Sequence, residues 1–216
     1  KWETQLTAEE AAKKDAGIYL HWGSTVQVAD TTDPVQVAAA QMEALNKMQP
    51  KLEALQKAGY TSHIAPKIGV RECRRIRGEY VLTVDDVLKG VFHEDHVADA
   101  WYSLDPWGMK VDEKIKQSVG PYGIPYRSLI PLNTEGLLTA GRIISGTRLA
   151  MSSYRVQPIC STIGEAAGTA AAMASLNKTG VRNIDIRTLQ HKLEAKGLFD
   201  WYNSVNMNVN NKPWKK

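Results

Sequence analysis

The sequence predicts an α/β protein, and two observations carry that expectation. Residues 137–174 begin with a short, mostly apolar run, Leu137-Leu138-Thr139-Ala140. Gly141-Arg142 and a polar connection from Ser145 to Gln157 follow, and then a long run of small residues opened by Pro158. Four such residues stopped by a glycine have the length of a strand buried on both faces. Elsewhere, segments with helix start and stop signals alternate with runs rich in β-branched and aromatic residues.

Composition sets the bounds. A chain of 216 residues makes one or two domains. With 43% hydrophobic residues it can build a core, which argues against wholesale disorder. The formal charge of +4 comes from 27 basic and 23 acidic residues that are intermixed, so no dedicated nucleic-acid face is indicated. No apolar run approaches the ~20 residues of a membrane span. Cys73 and Cys160 are far apart and make neither a disulfide framework nor a metal motif; each is expected to be a buried thiol. These features leave the compartment unassigned, with cytoplasm favoured over periplasm.

Taken in order, Thr7-Ala8-Glu9-Glu10 fits a capping box and predicts a helix to about Asp15. Ile18 to Val28 reads as a strand broken by Gly23, with His21 and Trp22 as either a core pair or a pocket wall. Asp33-Pro34 opens a helix closed by Gly59, with Leu45, Met48, Leu52 and Leu55 as a core stripe and Pro50 as a kink or break. Ile64 to Thr83 reads as strands and a turn; in a strand, Arg71 and Arg75 share one face and Arg74 takes the other. They pair with carboxylates such as Glu72 and Glu79, or one face presents a guanidinium to an anion. Thr83-Val84-Asp85-Asp86 caps a helix that Gly90 ends. His93-Glu94-Asp95-His96 lacks the H-E-x-x-H spacing of a zinc site and reads as a solvated turn.

Trp101 to Gly120 reads as an irregular excursion and Gly120 to Pro125 as a stiff turn. Tyr126 to Ile130 reads as a strand, Asn133 to Gly136 as a turn, and Leu137 to Ala140 as the buried strand. Pro158 then suits the first turn of a helix, where a missing N–H costs nothing. Gly164 and Gly168 lie on one helix face, and each costs about 1 kcal/mol against Ala. That bare face either packs tightly on a neighbour or lets something flat come close. Asp185 caps a last helix with Leu189 and Leu193 facing inward, and the tail from Asn203 to Lys216 is polar.

Several of these segments, in this order, resemble one family. They are Gly69-Val70-Arg71-Glu72-Cys73-Arg74-Arg75-Ile76 with Gly78 to Thr83, Gly123 to Pro131, Leu137 to Arg142, Arg155-Val156-Gln157-Pro158, and Gly164-Glu165-Ala166-Ala167-Gly168-Thr169-Ala170-Ala171. Over roughly Pro66 to Gly197 the chain is similar to the carboxy-terminal part of FAD-dependent oxidoreductases of the glutathione-reductase type. Glu165 stands where that family would lead one to expect Gln. The G-x-G-x-x-G strand-turn-helix that opens such proteins does not occur in these 216 residues. The resemblance therefore implies an N-terminal half that is a separate polypeptide, was cleaved off, or was lost from this chain.

The resemblance implies an α/β fold in which residues 1–130 are a portion of a substrate-side mixed sheet. Residues 131–180 are the last strand and helix of an FAD-binding domain, and 181–216 a C-terminal helix and tail. It implies FAD as cofactor, hydride exchange with a small organic substrate, and assembly as a homo-oligomer. Ala140, Gly141, Arg142, Arg155, Gly164, Glu165, Ala166 and Ala167 are the expected cofactor contacts. Arg71, Arg127 and Arg148 are the substrate candidates, Arg155 and Tyr126 the catalytic ones, and no metal is expected. A non-catalytic interaction subunit that keeps the fold is the second reading. A carbohydrate-binding or lyase module, suggested by the aromatics Trp101, Tyr102 and Trp107, is the third.

Overall fold

A computed structural model describes residues 23–66, 68–106 and 109–197. The chain divides into two compact units between Cys73 and Arg74. In the first, helix α1 spans Pro34–Lys57. Its start follows from its sequence: Asp33 accepts from the Val35 N–H at 2.9 Å, and Pro34 sits where no donor is needed. Pro50 lies inside the helix without splitting it. Only Ala40 is buried along α1, so Leu45, Met48, Leu52 and Leu55 are a half-buried stripe rather than a core.

The second unit is built around an antiparallel ribbon. Strand β1 (His96–Ala100) pairs with β2 (Tyr122–Pro125), with Ala98 opposite Ile124 and Ala100 opposite Tyr122. A lone two-stranded ribbon is marginal in water. This one is buried because helices cover it. Helix α2 (Val84–Lys89) lies against β2, α3 (Glu113–Gln117) sits in the connection between the strands, and α4 (Arg148–Tyr154) lies against α2. The long helix α5 (Gln157–Leu176) and α6 (Ile186–Glu194) pack on β1 and on each other. The inward face of α5 is Ile159, Ile163, Ala166, Ala170, Met173 and Ala174, spaced at three and four residues.

The rest of the core is held without a sheet. Segments 76–82, 127–132 and 143–147 cross one another through single backbone bonds. Ile76 donates to Ile143 O (2.9 Å), Glu79 to Ile130 O (3.1 Å), Leu82 to Ser145 O (3.1 Å), Thr147 back to Leu82 O (2.8 Å) and Ser145 to Ser128 O (2.9 Å). Gly78 sits at the crossing. A Cβ there would come within 2.7 Å of Ser145 Cβ and 3.0 Å of Ile130 O.

Several expected strands are therefore absent, and the reasons are physical. Residues 23–28 and 64–83 are extended but form no ladder; the second stretch makes only isolated bridges at Gly78 and Leu82. Arg71, Arg74 and Arg75 consequently have no common strand faces to share. Tyr126–Ser128 is a 3-10 turn, while the strand occupies Tyr122–Pro125, which reads in sequence as a stiff turn. Leu137–Ala140 is not a buried strand. Leu137 is 46% exposed, and the run is held at Thr139, whose N–H and Oγ1 both donate to Leu129 O, at 2.8 and 3.2 Å. The excursion from Trp101 to Gly120 contains α3, capped by Asp112. His93 and His96 are largely buried rather than solvated, His96 being the first residue of β1. Cys73 and Cys160 are half-buried, not fully buried. The mixed helix-and-strand character stands, with a sheet of two strands among the described residues. The expected helix at Thr7–Asp15, His21, Trp22, Trp107 and the tail from Asn203 lie outside the described residues.

Because a Cβ at this crossing has no room, Gly78→Ala should lower unfolding stability by about 1–3 kcal/mol. Urea titration followed by circular dichroism measures this; an unshifted midpoint would mean that the segments have room to part.

Candidate functional site

Six described helices can be compared at their first turns. Five begin with a side chain that accepts from a backbone N–H: Asp33, Thr83, Asp112, Thr147 and Asp185. The sixth, α5, begins at Val156, whose side chain has no acceptor, and Pro158 in the first turn removes one donor. The remaining first-turn N–H groups have no capping side chain, and the dipole places its positive end there. The turn Gly141–Ile143 packs against this helix. Gly141 has φ 71°, a conformation that costs a side-chain-bearing residue roughly 1–2 kcal/mol, and a Cβ on it would meet Cys160 at 3.8 Å. Arg142 next to it is exposed. The structure thus brings the Gly141 turn, with Ala140 and Arg142 on either side of the glycine, against the first turn of α5.

The outward face of α5 is bare. A Cβ on Gly164 or Gly168 would meet nothing within 4 Å, so these glycines do not serve tight packing against the described residues. Glu165 shares that side and is ion-paired with Lys196, just beyond α6. The Lys196 hydrogen bond and charge hold its carboxyl below the ordinary glutamate value, so Glu165 is an anion with its counter-charge attached. Ala166 and Ala167 turn the other way, into the core.

The elbow between α4 and α5 carries Arg155. Its side chain is only 9% exposed; Nη2 donates to Asp105 O and lies 3.3 Å from Asp105 Oδ2. Ser153 Oγ, which accepts from the buried Tyr122 hydroxyl at 2.8 Å, donates to Tyr102 O at 2.6 Å. Tyr154 is fully buried, its hydroxyl on Ile144 O at 3.3 Å. Gly146 makes room for that ring, since a Cβ would fall 2.8 Å from the hydroxyl. Arg75 caps the same turn, donating to Gly146 O at 2.9 Å.

The other expected residues lie in different surroundings. Tyr126 is buried and donates to Val181 O at 2.7 Å, and burial pushes its ionisation well above the ordinary tyrosine value. Arg127 grips Asp95 with a two-bond fork (2.9 and 3.1 Å), its own N–H adds a third bond, and its guanidinium stands 5.3 Å from the Tyr80 ring. Burial alone would raise the Asp95 carboxyl, but the Arg127 bonds outweigh it and hold it below the ordinary value. Tyr80 is pushed up to about 12 by burial and by its bond to Asp86. Arg148 is exposed at the first position of α4, and Arg71 lies half-buried in the first unit. Sequence reasoning missed Asp95, Asp105, Ser153 and Lys196. They lie 31 to 51 positions from the groups that they hold, and no local pattern marks such pairs.

Residues 3–193 match the family model for FAD dependent oxidoreductases. The chain belongs to that family. No curated protein and no solved structure matches it. The family's cofactor is FAD, and the geometry fits it. An uncapped helix start, a left-handed glycine turn packed against it and a glycine face with open space above it suit an anionic group and a flat ring. In this family member, no helix among the described residues is long and apolar enough to cross a membrane.

The Asp95–Arg127 pair gives a pH signature. Its folded carboxyl titrates below the ordinary value of about 3.9. Its stabilisation is therefore complete above that pH and is lost as pH falls through the lower, folded value. Arg127→Ala removes the fork and should move the acid-unfolding midpoint to higher pH; an unchanged acid limb would show that the pair contributes nothing.

Proposed function

We propose that this chain is the C-terminal part of a glutathione-reductase-type flavoprotein that exchanges hydride between a small organic substrate and FAD. The observation that carries the reading is the uncapped start of α5 beside the Gly141 turn. In this reading Ala140, Gly141 and Arg142 lie along the cofactor's phosphate side. The first turn of α5, with Arg155 at the elbow, faces the ring. Gly164 and Glu165 lie further along the same face, and Ala166 and Ala167 support it from the core. FAD, when bound, supplies the two-electron chemistry.

The chain's own part is electrostatic. A helix dipole contributes roughly 0.3–2 kcal/mol to a charge at its end. Since 30 mV is about 1.4 kcal/mol for a two-electron couple, α5 shifts a potential by tens of millivolts. Lys196 cancels much of what Glu165 would subtract. The adenosine side needs a G-x-G-x-x-G unit, which these 216 residues lack, so in this reading an N-terminal half, on another chain or cleaved from this one, completes the site. In this reading residues 1–130 belong to the substrate side, 131–180 to the FAD-binding domain, and 181–216 are a C-terminal helix and tail; Arg71, Arg127 and Arg148 are its substrate candidates.

A second reading, an interaction subunit that has kept the fold, draws on one observation. Tyr126 and Arg155, the two catalytic candidates, both hold structural bonds, to Val181 O and Asp105.

The absorbance spectrum of natively purified protein, with the intact mass of every chain present, separates the two. Flavin bands and a partner chain carrying G-x-G-x-x-G are expected; their joint absence would favour the interaction subunit. Gly164→Ala tests the face itself. In the chain alone it should raise stability by about 0.5–1 kcal/mol, because the added methyl meets nothing. In the flavin-loaded assembly it should weaken cofactor retention, and equal retention would remove this face from the site. Arg155→Ala should reduce turnover or flavin content, and unchanged values for both would exclude a role for Arg155.

A further inference from the structure

The stretch before α1 has the side-chain pattern of a strand and no partner for its backbone. Ser24, Val26 and Val28 are half-buried, while Gly23, Thr25 and Gln27 are exposed, which is the period-two alternation of a β-strand. Both ends are held. A Cβ on Gly23 would fall 2.7 Å from Met48 Sδ, so the segment begins tight against α1. At its other end the Asp30 N–H donates to Gln36 Oε1 at 3.1 Å, and Thr31 Oγ1 donates to Glu72 O at 3.5 Å. Between these anchors, no N–H or C=O of residues 24–29 bonds to any described residue. A strand edge of this kind takes one class of partner, another extended backbone, because only that matches donors and acceptors at strand spacing. Residues 61–65 also lack such bonds among the described residues, but they are exposed throughout and lead into Pro66, so they carry no strand pattern.

We propose that residues 24–28 are the self-association edge of this protein and pair antiparallel with the same segment of a second copy. The pairing stands independently of the flavin reading. Charge selects the second copy as occupant. The 24–29 run has neither a charge nor a proline, the two devices that keep exposed edges from meeting their like. Residues 1–73, the first unit, hold eight basic and nine acidic residues, whereas 74–216 hold 19 and 14. Two copies therefore repel at the second unit and not at the first. A two-fold axis makes the contact self-complementary and the strands antiparallel. A slip of one residue would set half-buried side chains opposite exposed ones, so the register centred on Val26 fits. It puts Thr25 of each copy opposite Gln27 of the other, hydroxyl against amide, and Ser24 opposite Val28. A two-stranded ribbon needs backing to be stable in water, and α1 backs each strand here.

Sedimentation velocity of the full chain over a concentration series tests this, with hydrogen exchange on the same samples. A reversible dimer is expected, with the amides of 24–28 more protected as concentration rises. Thr25→Lys with Gln27→Lys, both at exposed sites, sets like charges opposite each other twice and should weaken the dimer roughly tenfold. Thr25→Lys with Gln27→Glu turns both meetings into opposite-charge pairs and should restore it, a rescue particular to this pairing. Met42→Lys, at an exposed site on α1, should leave the dimer unchanged. Circular dichroism checks that each variant keeps its helices. A wild-type chain that stays monomeric would overturn the proposal, and so would a dimer indifferent to the paired lysine substitution or equally weakened by Met42→Lys. Should the lysine variant lose its helices, the wild-type exchange pattern decides: a dimer without added protection at 24–28 has its interface elsewhere.

Discussion

The second unit depends on satisfying buried backbone one bond at a time. Segments 76–82, 127–132 and 143–147 run through its interior without forming a ladder. A buried N–H or C=O left without a partner costs about as much as a lost hydrogen bond. Single crossings such as Leu82 to Ser145 and Thr147 back to Leu82 are therefore what permit this irregular interior. They require very close approach, and the absence of a side chain at Gly78 provides it. Arg182 repeats the device at the edge. Its guanidinium reaches Glu79 at 2.7 Å and bonds the carbonyls of Pro131, Leu132 and Thr134, giving the 131–136 turn the partners that it lacks in itself.

Helix α5 joins this interior to the candidate site. One face carries Ile163, Ala166, Ala170 and Met173 into the ribbon and α6, and that burial fixes the helix in place. The opposite face carries Gly164 and Gly168, where an added Cβ would meet nothing within 4 Å among the described residues. Two glycines in a helix interior lower its intrinsic stability, and packing on the buried side compensates. Among the described α-helices, the start of this one alone has no side-chain acceptor for its first-turn N–H groups. A rigid helix with one bare face and a positive end can meet an anionic, flat partner without rearranging.

Charges in this protein are placed in matched pairs. Asp95 with Arg127, Asp105 with Arg155 and Glu165 with Lys196 each hold a carboxylate against a specific cation. The Arg155 pair is the least exposed on its cationic side, where leaving either partner alone would be most costly. Together with Ser153, it binds the 101–105 segment to the start of α5, so the exposed aromatics and the helix end form one mechanical unit.

By itself, the sequence determined the features that depend on neighbours within a few positions. The caps at Asp33, Thr83 and Asp185, the stop at Gly90 and the helix after Pro158 all follow from local hydrogen-bonding chemistry and helical spacing, and the structure contains each. The ordered motifs that mark the FAD-dependent family were also legible, because a family pattern is a property of sequence. Strands were read poorly. Whether Leu137–Ala140 or Tyr126–Ile130 pairs in a ladder depends on a partner segment far along the chain, and apolar residues satisfy an irregular buried path as readily as a strand. The pairing of Arg155 with Asp105, the turn of Ala166 and Ala167 into the core, and the packing of the Gly141 turn on α5 were decided only in three dimensions. Each depends on which distant groups the fold brings within bonding distance.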